Sequence, residues 1–100
     1  MLRVIQSFKN SGTENIFNGR NSIEARRLLP RNLWNIAFRK LDMLDVAVLL
    51  TDLRVPPGNR LEALQSERLG QHSIRINNQY RICFKWTDAG PVEVEIVDYH

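Results

Sequence analysis

From Tyr80 onward the chain alternates with a period of two. Tyr80, Ile82, Phe84 and Trp86 fall on one side, with Arg81, Cys83 and Lys85 on the other. Successive side chains of a β-strand point to opposite faces, so this run is a strand with one apolar face to bury. Thr87-Asp88-Ala89-Gly90-Pro91 turns the chain, and Val92, Val94 and Ile96 then form the inner face of a final strand, with Glu93 and Glu95 outward. Upstream, His72 to Ile76 alternates with Ile74 and Ile76 apolar. Asn77-Asn78 reads as the hairpin turn, because asparagine tolerates positive φ. The result is an antiparallel meander whose apolar face needs a cover.

The cover lies between Pro30 and about Val48. Leu33, Ile36, Ala37, Leu41, Leu44 and Val48 recur at three- and four-residue steps, while Asn32, Asn35, Arg39, Asp42 and Asp45 line the opposite side. That is an amphipathic helix, and Pro30 fits its first position, where the missing N–H costs nothing. Val55-Pro56-Pro57-Gly58-Asn59 is a stiff loop and turn that no helix can cross. At the front, Leu2 to Lys9 reads as a short strand of imperfect alternation, and Thr13 as the cap of a short helix ending at Asn18-Gly19. Ser22 to Leu29 is ambiguous, and another helical turn can begin there. A strand, helices and then a meander make an α+β architecture.

With 100 residues, the chain suits one domain spanning residues 1–100 around one core. Hydrophobic residues at 43% and charged residues at 25% argue against disorder. Cys83 stands alone and cannot staple the fold, which fits a reducing compartment. It lies in an apolar run with no partner motif, where an inert buried thiol is the common outcome. The first residues lack the apolar segment of a signal peptide, and no run approaches the ~20 apolar residues of a membrane span. A cytoplasmic protein with no membrane partner is expected.

The formal net charge is +3, and eleven of the fourteen basic residues are arginine. Arginine carries a planar fork of donors that matches phosphate. The basicity is local: Arg54 to Lys85 holds six basic residues and two acidic ones, whereas the residues after Lys85 include four acids and no lysine or arginine. If Tyr80, Ile82 and Phe84 face the core, Arg75, Arg81 and Lys85 project from one hairpin onto the uncovered face, with Arg60 and Arg68 just before it. Two readings compete. One is a phosphate-binding surface, and the other a solvated face with cross-strand charge pairs to Glu93 and Glu95. No pair of ligands has metal-site spacing, so no metal is expected, and there is no Gly-rich phosphate loop or Ser-centred nucleophile motif. Asp98-Tyr99-His100 sets a carboxylate, an aromatic ring and a general acid at one strand end.

Three blocks make the pattern specific. They are Leu53-Arg54-Val55-Pro56-Pro57-Gly58-Asn59-Arg60-Leu61-Glu62-Ala63-Leu64, then Gly70-Gln71-His72-Ser73-Ile74-Arg75-Ile76-Asn77 with Gln79-Tyr80-Arg81-Ile82-Cys83-Phe84, and the terminal Val97-Asp98-Tyr99-His100. In this order and with these gaps they resemble HigB-type toxins of the RelE superfamily, closely from Leu53 to His100 and more loosely before. The resemblance implies a RelE-like fold, an N-terminal strand and helices packed on a curved antiparallel sheet. It implies an endoribonuclease that enters the ribosomal A site and cleaves messenger RNA by metal-independent transesterification, with no cofactor. Its partners would be a HigA-like antitoxin, the ribosome and the message, with operator DNA reached only through the antitoxin.

Under the resemblance, Arg81 clamps the phosphate, His100 is the general acid, Tyr99 stacks on a base or positions the sugar, and Asp98 orients a partner or fixes the C-terminus. Glu62 is the candidate general base, at a position where some HigB relatives carry histidine and another branch carries glutamate. The alternative is a solvated carboxylate paired with Arg60. Gln65 stands where relatives have lysine, and His72 where tryptophan or tyrosine is frequent, so a cation and a ring of the pattern are changed. Strict alternation from Val92, Val94 and Ile96 puts His100 on the core face and Tyr99 on the open one, so His100 reaches RNA only if the strand bends or bulges near Asp98. The competing functions are a non-catalytic ParE-like gyrase inhibitor, a plain ribosome- or RNA-binding module, and a toxin whose chemistry has been lost.

Overall fold

The long helix begins later and stops earlier than its periodicity suggests. In the computed structural model, which describes residues 4–99, Pro30 is extended and a 3-10 turn over Arg31–Leu33 leads into helix α3, Trp34–Val46. Trp34 fixes this entry by donating its indole N–H to the Leu29 carbonyl at 2.8 Å, with the Arg31 guanidinium over its ring. The helix ends because Asp52 Oδ2 accepts the N–H groups of Val48 and Leu49, drawing the chain into a 3-10 turn over Leu50–Arg54. Val48 is therefore exposed rather than on the buried stripe. Ala37, Leu41 and Leu44 are fully buried. Asp45 is not a purely solvent residue, since it accepts the Ile5 N–H at 2.8 Å.

Two short helices precede it. Helix α1, Ser11–Phe17, is capped by Asn10, which accepts from the Thr13 N–H, and helix α2, Ile23–Leu28, is capped by Ser22. Thr13 is thus inside the helix rather than its cap. Its buried hydroxyl donates to Asn10 Oδ1 at 2.8 Å and accepts from the Ile96 N–H at 3.0 Å, joining α1 to the last strand.

The sheet has four antiparallel strands in the order β1 (Glu62–Ala63), β2 (His72–Arg75), β3 (Tyr80–Thr87) and β4 (Gly90–Asp98). One face carries Ile74, Ile82, Phe84, Val94 and Ile96 into a core shared with α3, Leu29, Leu53 and Ile16. Tyr80 and Trp86 lie half-buried at its margins. This is the α+β arrangement of a RelE-like fold. The N-terminal strand is not formed among the described residues, and Leu2 and Arg3 lie outside them. Residues 5–9 instead run beside β4 as an irregular segment with one parallel bridge, Phe8 to Val94.

That contact accompanies a bulge. Cys83 pairs with Glu95 but Lys85 pairs with Val92, so β4 carries one extra residue, and Glu93 has φ 51°. Glu93 and Val94 donate their N–H groups to the Ser7 side chain and carbonyl. Beyond a bulge the faces exchange. Pro91, opposite Trp86, is therefore buried, while Val92, opposite Lys85, leaves the inner face that strict alternation assigns to it. The β2–β3 turn also differs in kind. Neither Asn77 nor Asn78 has positive φ; Asn77 Oδ1 instead accepts the N–H groups of Gln79 and Tyr80.

The loop before the sheet is tied down by Asn59, which is fully buried. It closes a 3-10 turn over Pro57–Asn59, donates to the carbonyls of Leu53 and Val55, and accepts from Lys40 Nζ at 2.5 Å. Asn59→Ala leaves these groups without their partner and costs about 1–3 kcal/mol. Urea unfolding will show this as a lower midpoint at unchanged slope; an unshifted midpoint means that the loop is held by other contacts.

Candidate nucleic-acid interface

Arg75 and Arg81 are directly opposite each other on β2 and β3, on the sheet face away from the core side chains Ile74 and Ile82. The Arg81 side chain is buried, yet two of its nitrogens are held in place. Nε donates to Ser73 Oγ at 2.7 Å, and Nη2 donates to the Arg60 carbonyl at 2.6 Å. Arg60 adopts the left-handed conformation with φ 47°, which closes the preceding turn. Glu62 Oε1 stands 3.6 Å from Nη2, and the Tyr99 ring centroid 5.8 Å from the guanidinium carbon. A guanidinium fixed through Nε and one Nη2 hydrogen keeps Nη1 donors for an incoming ligand. Among the described residues Nη1 carries no hydrogen bond.

Around it lies a cleft of about 320 Å³ lined by Arg60, Arg75, Asn77, Asn78, Arg81 and Tyr99. Arg75 is steadied by donating to Asn78 Oδ1. Tyr99 is placed by its backbone N–H on the Gln79 carbonyl at 2.6 Å, and Asp98 accepts from the Gln79 side chain at 3.1 Å. The walls are three cations, two carboxamides and one exposed aromatic ring. That set suits a polyanion carrying a stackable ring, since arginine holds phosphate and tyrosine supplies a π-face.

The remaining residues singled out from sequence divide. Lys85 and Arg68 lie outside the cleft lining. Lys85 Nζ pairs with Glu93 at 2.9 Å, and Arg68 Nη1 pairs with Glu95 at 3.0 Å, with Lys9 at 3.6 Å from the same carboxylate. Charge pairing therefore describes this end of the face. The hydrogen bond from Lys85 holds the Glu93 carboxyl below its usual range, and the one that Arg68 donates to Glu95 pushes the Arg68 pKa up. Glu62 is exposed and meets Arg81 rather than Arg60. Asp98 stays in register with Tyr80, and the bulge lies at Glu93 rather than near Asp98. Tyr99 is on the open face beside Arg81, while His100 lies outside the described residues. His72 stacks on Phe84 at 6.3 Å toward the core, its Nδ1 buried without a partner among the described residues. Gln65 is exposed and does not line the cleft. Among the described residues no three histidine, cysteine or acidic side chains gather as a metal site requires, and no helix is long and apolar enough to cross a membrane.

Three contributors are missing from the sequence reading. Ser73, Asn77 and Asn78 read there only as strand and turn residues. Ser73 could have been found from register, since it neighbours the Arg75–Arg81 pair on the same face. The Arg60 carbonyl has no sequence signature.

Cys83, opposite Ser73 and Glu95, is fully buried, and burial pushes its thiol above the usual range. Reactive thiolates need exposure and a lowered pKa. At neutral pH the folded chain will resist iodoacetamide, with full alkylation only in denaturant. Rapid alkylation of the folded chain would contradict this placement.

A family description of a RelE-like toxin of the type II toxin–antitoxin system HigB matches residues 6–100. Toxin HigB-1 of Vibrio cholerae serotype O1 is 52% identical over 63 residues, which cover 63% of this chain and 66% of that protein. A Haemophilus influenzae protein whose name assigns no function is 43% identical over 58 residues, covering 58% of this chain and 57% of its own length. The aligned stretches thus span less than two thirds of either relative.

Proposed function

We propose that this chain, which belongs to the HigB-like family of RelE-like toxins, is the toxin of a type II toxin–antitoxin system and cuts messenger RNA in the ribosomal A site. The observation that carries this reading is the buried Arg81 guanidinium, fixed by Ser73 and the Arg60 carbonyl in a cleft shared with Arg75 and Tyr99. A preorganised donor aimed at a phosphate stabilises the charge that builds on it during reaction.

The ribose 2′-oxygen attacks the adjacent phosphorus while the bond to the 5′-oxygen breaks. A 2′,3′-cyclic phosphate and a free 5′-hydroxyl result. Glu62, beside Arg81, accepts the 2′ proton, and His100 supplies the proton to the leaving oxygen. Arg81 holds the non-bridging oxygens, Arg60 and Arg75 bind flanking phosphates, and Tyr99 stacks on a base. Asp98 fixes the terminal segment through Gln79. Arg68 and Lys85, already held by carboxylates, add long-range attraction rather than direct clamps. In the bacterial cytoplasm a HigA-like antitoxin neutralises the toxin and reads the operator DNA.

The test is a purified chain on ribosomes programmed with a defined message. New fragments ending in a cyclic phosphate, with 5′-hydroxyl downstream pieces and no cleavage of free message, are the expected products. An intact message together with arrested gyrase supercoiling would instead indicate a ParE-like inhibitor.

A further inference from the structure

On the other side of the β2–β3 turn is a groove that this chemistry does not use. It encloses about 380 Å³ between α3 and the proline loop, lined by Ile36, Arg39, Lys40, Met43, Pro56 and Ile76. Four of these are apolar. Ile76 directly precedes Asn77 of the cleft, so groove and cleft meet at one turn.

The charges here are uncompensated. Lys9, Arg68, Arg81 and Lys85 each face a carboxylate, but neither Arg39 nor Lys40 forms an ion pair with a described residue. Among the described residues the Lys40 side chain is bound only to the neutral Asn59 side chain. Burial and the neighbouring Arg39 both push its pKa below the usual lysine range. Two adjacent cations beside an apolar wall ask for a ligand that brings both apolar surface and negative charge.

We propose that this groove is a docking surface for the antitoxin, and that it takes an apolar, carboxylate-bearing segment of that protein. This rests on the toxin–antitoxin reading but not on the nuclease chemistry. A peptide segment satisfies both features at once: apolar side chains cover Ile36, Met43, Pro56 and Ile76, and a carboxylate offsets the repulsion between Arg39 and Lys40. An RNA backbone would use the cations and leave the apolar lining in water. A segment seated there stands beside the cleft without having to fill it.

The test uses the full chain and the antitoxin encoded with it, with affinity measured by titration calorimetry at two salt concentrations. Arg39→Glu is the main variant, because Arg39 is exposed and its side chain makes no hydrogen bond or ion pair among the described residues. Arg20→Glu, an exposed position on the α1–α2 connection, is the control for net charge. Arg39→Glu weakens binding by about tenfold or more and flattens its salt dependence, Arg20→Glu changes it by less than about twofold, and Arg39→Lys stays near wild type. Growth arrest without antitoxin, retained by Arg39→Glu, shows that the variant is folded. Equal affinities for the two glutamate variants overturn the proposal. So does an Arg39→Glu chain that keeps its antitoxin affinity but loses ribosome binding, which makes the groove an RNA surface. If the wild-type chain binds no antitoxin, the toxin–antitoxin reading itself is wrong and the proposal falls with it.

Discussion

Arg81→Ala lowers the rate of message cleavage by about 10²–10³-fold, the range for removing one preorganised donor from a developing oxyanion. The reason lies in how much of the structure is spent on this side chain. Its Nε is on Ser73, its Nη2 on the Arg60 carbonyl, Glu62 stands 3.6 Å from Nη2, and the Tyr99 ring lies 5.8 Å from the guanidinium carbon. Removing it takes away the central positive charge of the cleft and leaves Ser73 and the carbonyl without their donor. Because Arg81 is buried, the alanine variant also loses packing, so loss of fold must be separated from loss of chemistry. Arg81→Lys does this. It keeps a charge but not the planar fork, so it stays folded by circular dichroism yet recovers little of the rate. A folded Arg81→Lys or Arg81→Ala chain that cleaves at the wild-type rate would remove Arg81 from the mechanism.

Phe84→Ala destabilises the domain by about 3–5 kcal/mol, a large part of the roughly 5–15 kcal/mol that holds a domain of this kind together. Phe84 is fully buried, central in β3, and packs within the cluster shared by α3 and β4. Its strand neighbours Ile82 and Cys83 are fully buried too, so the sheet cannot easily collapse into the space left behind. The cavity term therefore adds to the lost transfer free energy. Trp86, on the same face but half-buried beyond the bulge, gives a smaller loss when truncated. Equilibrium urea unfolding decides between them. A Phe84→Ala midpoint close to wild type, or a larger shift for Trp86→Ala, would mean that the core is centred elsewhere.

Much of this arrangement is legible in the order of residues. The period of two through Tyr80–Trp86 and the three- and four-residue steps through Leu33–Leu44 encode which faces meet, and the structure pairs them. The same parity puts Arg75 and Arg81 together on the open face, because a short turn joins them and fixes the register. What escapes has a common physical cause: it is decided by contacts distant in the chain. Asn10, Ser11 and Thr13 are all residue types that cap helices; Asn10 takes that place, while the Thr13 hydroxyl accepts the Ile96 N–H from the last strand. The bulge at Glu93 has no glycine or asparagine to announce it, and coincides with hydrogen bonds to Ser7 from the far end of the chain. Arg68 and Glu95, 27 positions apart, meet only once the sheet has formed, so nothing local marks Arg68 as paired. The hold of the Arg60 carbonyl on Arg81 depends on a left-handed backbone at a non-glycine residue, which residue type alone does not reveal.

The most direct measurement is the mapping of message 5′ ends in cells induced for the wild type beside His100→Ala, Arg81→Ala and Glu62→Ala. Growth arrest with new ends inside translated codons for the wild type, and loss of both in the His100 and Arg81 variants, is the predicted result; the Glu62 variant then identifies the base. Arrest without new ends, or variants that remain toxic, would contradict the nuclease mechanism and leave a protein that acts by binding alone.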